Sequence, residues 1–287
     1  MRVARDIAAL EAALAPWRAA GDRIVLVPTM GNLHEGHLSL VDRARRLGDR
    51  VVVTLFVNPM QFGPGEDFER YPRTFEEDRR LLEARGADLL FAPETAELYP
   101  RGHGRTTAVE VPELSSILCG AFRPGHFRGV ATVVAKLYNL VRPQVAVFGE
   151  KDYQQLVILR RMTEDLNFPV EVVGAPTVRE PDGLAMSSRN RYLTAEERAR
   201  APLLYRTLRR VVERVREGAR DLAAVEAEAM AALAAAGFRP EYVSVRRAGD
   251  LAPPAPGDRS LVVLAAAHLG SARLIDNIPF ERATAGG

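Results

Sequence analysis

The chain has 287 residues, 47% of them hydrophobic, and a formal net charge of +2. That length buries a full core in one large domain or two ordinary ones, and so balanced a charge, with no basic stripe interleaved with aromatics, argues against a nucleic-acid partner. No apolar run approaches the roughly 20 residues that cross a bilayer and no secretory leader opens the chain, so a cytoplasmic protein with small-molecule partners and no membrane is expected. The single cysteine, Cys119, cannot form an internal disulfide, which agrees with a reducing compartment.

In chain order, apolar runs without alternation predict buried parallel strands at Ile24–Pro28, Val51–Val57, Asp88–Phe91 and Gln144–Phe148, with a further short strand at Val170–Val173. Helical patterns fall between them at Gly36–Leu47, Thr74–Ala84, His126–Val141 and Asp152–Asp165. This alternation predicts an α/β fold, a Rossmann-like doubly wound parallel sheet, over residues 1–176. The texture then changes. Thr194-Ala-Glu-Glu is a capping box that predicts the start of a long helix. Helices follow at Leu203–Glu217 and Asp221–Ala235, and strands at Tyr242–Val245, Ser260–Ala267 and Ala272–Asp276. Residues 177–287 are therefore expected to form a smaller α+β domain, with Ala252–Asp258 a loop and Ala283–Gly287 frayed.

Residues 28–37 read PTMGNLHEGH and follow the apolar run Ile24–Val27 directly. Ligands of such folds bind where a strand ends and a helix begins. Gly31 and Gly36 allow close backbone approach, and a helix N-terminus offers N–H donors and the positive end of a dipole to a phosphate. His34 and His37, three residues apart, would add imidazole donors to the same anion. A pair of capping or core histidines, or a glycine-rich turn with no ligand, also fits this pattern. A metalloprotease-type zinc site does not, because it needs histidines four apart on an unbroken helix.

Only two of the 39 basic residues are lysines, Lys136 and Lys151, so each invites a reason. Lys151 stands in GEKDYQQ, another strand-to-helix junction, where Gly149 gives backbone access and the compact ammonium suits a phosphate; a solvated surface lysine is the alternative. Asp152 accepts from ribose hydroxyls or caps the helix. Three of the four glutamines, Gln61, Gln154 and Gln155, lie in these blocks, and neutral amides suit a substrate with hydroxyls and a carboxylate. Glu76, Glu77 and Asp78 read as ordinary dipole complements of a first helical turn. Tyr71, Pro72 and Arg73 read as structural. His126 either lines a pocket or starts its helix.

PTMGNLHEGH resembles the His-x-Gly-His signature of the nucleotidyltransferase superfamily, which includes the class I aminoacyl-tRNA synthetases. With FVNPMQFG (56–63), YPRT (71–74), FRPGHFRGVATVVAKL (122–137), FGEKDYQQL (148–156) and MSSRN (186–190) in order, nearly the whole chain resembles the pantoate–β-alanine ligase (pantothenate synthetase) family. The resemblance implies ATP-dependent condensation of pantoate with β-alanine through a pantoyl adenylate, with Mg2+ accompanying ATP and a homodimeric assembly. It implies catalytic roles for His34, His37 and Lys151. ATP contacts are implied for Met30, Gly31, His34, His37, Gly149, Lys151, Asp152, Val178, Met186, Ser187, Ser188 and Arg189, pantoate contacts for Gln61, Gln155 and Asn58, and a β-alanine contact for Gln61. No metal ligand in the protein is assigned. MSSRN resembles the superfamily's mobile KMSKS-type loop but lacks its lysines, leaving Arg189 as the cation. The smaller domain is expected to close over the active site. Whether His37 moves a proton or only holds charge stays open, as does the alternative of an adenylyl or cytidylyl transferase acting on a phosphorylated small molecule.

Overall fold

Ile24, Val25, Leu26 and Val27 are each 0% exposed, as a strand covered on both faces must be. They form β2 (Ile24–Thr29) of a six-stranded, all-parallel sheet in the computed structural model, which describes residues 1–282. The other strands are β1 (Arg2–Ala4), β3 (Arg50–Leu55), β4 (Leu89–Phe91), β5 (Val145–Gly149) and β6 (Glu171–Ala175), in the order β1-β4-β3-β2-β5-β6. The helices are α1 (Ile7–Ala20), α2 (Glu35–Ala44), α3 (Phe75–Ala84), α4 (Thr95–Leu98), α5 (Cys119–Phe122), α6 (His126–Val141) and α7 (Tyr153–Asp165). Leu38, Val41 and Ala44 of α2 join Val25, Val27, Val51, Val53, Val145 and Val147 in one core.

The order reverses beside β2: β3, the next strand in the chain, lies on one side and β5 on the other. The loops leaving the carboxyl ends of β2 and β5 therefore diverge, and this is where doubly wound sheets bind ligands. Those loops are the PTMGNLHEGH and GEKD segments.

The chain divides into two compact units. The first holds Met1–Glu150 and Ile158–Pro176, the second Lys151–Val157 and Thr177–Gly287. The second contains α8 (Ala195–Arg200), α9 (Leu203–Arg216), α10 (Leu222–Ala235) and an antiparallel sheet of β7 (Arg239–Arg247), β8 (Ser260–Leu269) and β9 (Ala272–Glu281). Leu204, Leu208, Val211, Val212 and Val215 of α9 recur at helical spacing and pack with Val243, Val245, Val263 and Ala265 of the sheet. Residues 151–157, expected in the first unit, group with the second. Tyr153 Oη donates to Ala248 O at 3.1 Å and Asn277 Nδ2 to Lys151 O at 2.9 Å.

Three expectations need correction. Thr194 caps its helix in a reciprocal box with Glu197, but the helix ends at Arg200 because Pro202 has no N–H to continue the ladder; α9 starts afresh. β9 runs to Glu281 rather than Asp276, through Pro279, which an edge strand tolerates. β1 and α1 were not expected at all. The end anticipated to fray, Ala283–Gly287, lies outside the described residues.

Candidate active site

His34 caps α2. Its Nδ1 accepts from Gly36 N at 3.1 Å, while His37 Nδ1 accepts from His34 N at 3.4 Å. This is a capping box in which imidazoles replace the usual hydroxyl and carboxylate. The rings sit 4.1 Å apart between centroids, tilted by 46°. A backbone amide can only donate, so both Nδ1 atoms are acceptors and the neutral rings carry their protons on Nε2. The capping alternative and the anion alternative are thus compatible: one nitrogen ties down the helix start and the other is a donor.

The loop before the histidines is moulded by a residue the sequence had assigned elsewhere. Asp78, 2% exposed, accepts from Asn32 N at 2.9 Å, Leu33 N at 2.8 Å and Thr74 Oγ1 at 3.1 Å. It is not merely a dipole complement of α3; it clamps the turn that aims His34. Gly31 is required there twice over. Its φ is +82°, and a Cβ would stand 3.0 Å from Asp78 Oδ2.

Asn58 is 1% exposed and fully committed to protein partners. Its Nδ2 donates to Gln61 Oε1 at 3.1 Å and Gly129 O at 3.0 Å, and its Oδ1 accepts from Tyr99 Oη at 2.8 Å and Met60 N at 3.3 Å. Through these bonds Asn58 fixes the orientation of Gln61. Gln61 Nε2 lies 3.0 Å from Met30 Sδ, so these two expected site residues do meet. From its other end, Gln61 O is 2.8 Å from His126 Nδ1 and accepts from Arg123 Nη2 at 3.3 Å. Glu66 pairs with Arg123 at 2.6 Å. Burial pushes the Glu66 carboxyl up, but the Arg123 hydrogen bond and charge, then His126 and the Gly63 backbone, outweigh it and hold it below the usual range. Gly129 completes this corner, because a Cβ there would come within 2.3 Å of Met60 O.

Gly149 is half-buried at the end of β5, and among the described residues, its chain neighbours aside, just Leu40 comes within 4 Å of where its Cβ would be. In the second unit, Lys151 is half-buried with its Nζ 4.0 Å from Asp152 Oδ2, and Gln155 is half-buried near the start of α7. Val178 and Met186 are joined by a backbone bond of 3.0 Å that closes a hairpin. Ser187 caps the short turn Ser188–Tyr192, its Oγ accepting from Arg189 N at 3.2 Å. Lys151 and Ser187 line one small cavity. Among the described residues, no group of three or more His, Cys, Asp or Glu side chains is arranged to hold a metal. Nor is any helix among them long and apolar enough to cross a membrane.

A family model described as Pantoate-beta-alanine ligase matches residues 2–279. A pantothenate synthetase of Thioalkalivibrio sulfidiphilus is 60% identical over 281 residues, 98% of each chain. The solved pantothenate synthetase of Thermus thermophilus superposes with a TM-score of 0.90 at 51% identity, covering 97% of this chain and 99% of that one. A Francisella tularensis pantoate-beta-alanine ligase, solved complexed with beta-gamma ATP and beta-alanine, gives 0.81 at 30% identity over 97% of both chains. These matches define an enzyme of the ligase class on a parallel α/β sheet with a smaller antiparallel one. The chain belongs to the pantoate–β-alanine ligase family.

Proposed function

We propose that this chain condenses (R)-pantoate with β-alanine at the expense of ATP. A pantoate carboxylate oxygen attacks the α-phosphorus and pyrophosphate leaves. The β-alanine amine then attacks the acyl carbon of the pantoyl adenylate, loses a proton, and displaces AMP to give pantothenate. No covalent enzyme intermediate is needed, so catalysis rests on positioning and charge stabilisation.

The observation that carries this reading is the imidazole pair at the carboxyl end of β2, with both Nδ1 atoms held by backbone amides. Two Nε2–H donors at a helix N-terminus suit the oxygens of an α-phosphate as charge grows on them. The same geometry speaks to His37. Making it an imidazolium would put a proton on Nδ1, which now accepts from His34 N at 3.4 Å, and this favours a neutral hydrogen-bond donor over a source of protons. Met30, Gly31 and Gly149 offer close backbone approach to the nucleotide. Gln61, oriented by Asn58, retains one amide hydrogen and one lone pair for pantoate and then β-alanine, and Gln155 supplies a second amide. Lys151, Ser187, Ser188 and Arg189 bring donors and charge to the phosphates, Asp152 accepts from the ribose, and Val178 and Met186 contribute backbone contacts. Mg2+ enters on the phosphates of ATP, which need few protein ligands for it. A homodimer in the cytoplasm completes the reading.

Incubation with ATP and pantoate, with and without β-alanine, tests it. Pyrophosphate should appear with pantoate alone and AMP turnover should require β-alanine. Turnover of AMP indifferent to β-alanine would defeat the ligase reading.

A further inference from the structure

Two adjacent polar residues of β9, Asp276 and Asn277, are 4% and 3% exposed. A charge at that depth is costly unless paired and hydrogen-bonded. Asp276 finds its partner in Arg179, whose Nη1 donates to Oδ2 at 2.7 Å and Nη2 to Oδ1 at 2.8 Å, while Asn277 N adds a bond to Oδ1 at 2.8 Å. The Arg179 guanidinium also donates to Gly183 O at 3.1 Å and lies 3.7 Å over the Tyr205 ring.

Arg179 stands at the neck of the hairpin that leads into MSSRN. It bridges Ala185, Met186 N donates to Val178 O at 3.0 Å, and Glu180 N donates to Leu184 O at 2.8 Å. One carboxylate of β9 therefore holds the base of the hairpin. The next residue reaches the other phosphate-directed element, because Asn277 Nδ2 donates to Lys151 O at 2.9 Å. Lys151, Ala185, Ser187 and Asp276 line the same cavity. The anchors themselves cannot slide, since Asp276 pairs with Ala265 and Asn277 with Leu264 in the sheet ladder.

We propose that Asp276 and Asn277 are positioning residues for nucleotide handling. They tie the Lys151 backbone and the Val178–Met186 hairpin to consecutive rungs of one strand, so the two elements that meet the phosphates keep a fixed spacing before ATP arrives. This rests on the reading of Lys151 and Ser187–Arg189 as phosphate contacts. Preorganisation of this kind removes an ordering cost from each binding event.

Asn277→Ala tests the tether to Lys151. Pyrophosphate release from ATP and pantoate should slow by about ten- to a hundredfold, while AMP release from pre-formed pantoyl adenylate and β-alanine changes little. In a Lys151→Ala background the same substitution should add almost nothing, because its effect runs through Lys151. Equal losses in both half-reactions, or full additivity in the cycle, would overturn the proposal. Should Asn277→Ala fold poorly, Arg179→Lys keeps the buried charge but loses the fork, and must show the same split between half-reactions. ATP affinity of the variants, measured calorimetrically without pantoate, separates this proposal from the substrate assignment. It should weaken about tenfold even if the wild type proved inert toward pantoate, and unchanged ATP affinity would overturn the positioning role.

Discussion

On the proposed reading His34 does two jobs with two nitrogens, the Nδ1 cap that the structure shows and an Nε2 donor to the nucleotide, and a single substitution separates them. Asparagine places an acceptor where Nδ1 now stands and is itself a favoured N-cap, but it has nothing at the position of Nε2. His34→Asn should leave stability within about 1 kcal/mol of the parent while slowing adenylate formation by about 10²- to 10³-fold. Thermal melts beside pyrophosphate release check both halves; parallel losses would mean the imidazole is only a cap. The sequence placed this histidine pair correctly at the end of a buried strand, since four consecutive apolar residues followed by two glycines leave few other arrangements. It could not show the reciprocal cap, because spacing alone does not say which ring nitrogen faces the backbone. Asp78 was illegible for another reason: its partners Asn32 and Leu33 are 46 and 45 residues away, and an acidic residue in a first helical turn already has a local explanation.

Among the elements, α6 depends on one small residue. Gly129 lets the helix settle directly on the Asn58–Gln61 turn, with the Met60 carbonyl where a methyl group would be. Gly129→Ala would ordinarily favour a helix, yet here it pushes backbone against backbone. A loss of about 1–3 kcal/mol is expected, together with a rise in KM for pantoate as Gln61 shifts; denaturant titration and steady-state kinetics test the pair of effects. The bounds of α6 were readable from sequence to the residue, because apolar residues sit nearly all round it and Gly125 and Arg142 break the pattern at its ends. α1 was not. Pro16 lies within it and its Ala-rich stretch has little contrast between faces, although Asp6 caps it and Gly21 ends it. β1 is three residues long with only Ala4 buried, too short for any periodicity to register.

For the whole molecule, acid is a common stress on both units. Glu66 in the first is held down by Arg123 and His126 against the upward push of burial; Glu241 in the second is held down by Arg273 and His268 against the same push. Both folded-state carboxyls thus bind protons less tightly than in the unfolded chain, where the ordinary value is 4.5. Their stabilisation is complete above about pH 5 and is lost as the pH falls through the folded-state values. Melting temperatures measured from pH 7 down to 3 should fall on the acid side, and Glu66→Gln should flatten that slope; an unchanged slope would deny the carboxylate its part. The class of both units was legible from strand texture, non-alternating in the first and mixed with amphipathic helices in the second. The allegiance of 151–157 was not, because it rests on bonds to Ala248 and Asn277 far along the chain. The strand order carries a further consequence, in time rather than space. The imidazole pair needs only neighbours three residues apart and forms as soon as α2 does. The crevice proposed for the ligand needs β5 beside β2, a closure that Ile24 and Gln144 make across 120 residues. Such a long loop is entropically expensive and is closed late. If the proposed site is right, a refolding chain therefore assembles its phosphate donors early and waits for the cleft in which they would work, so recovered activity should date the docking of β5.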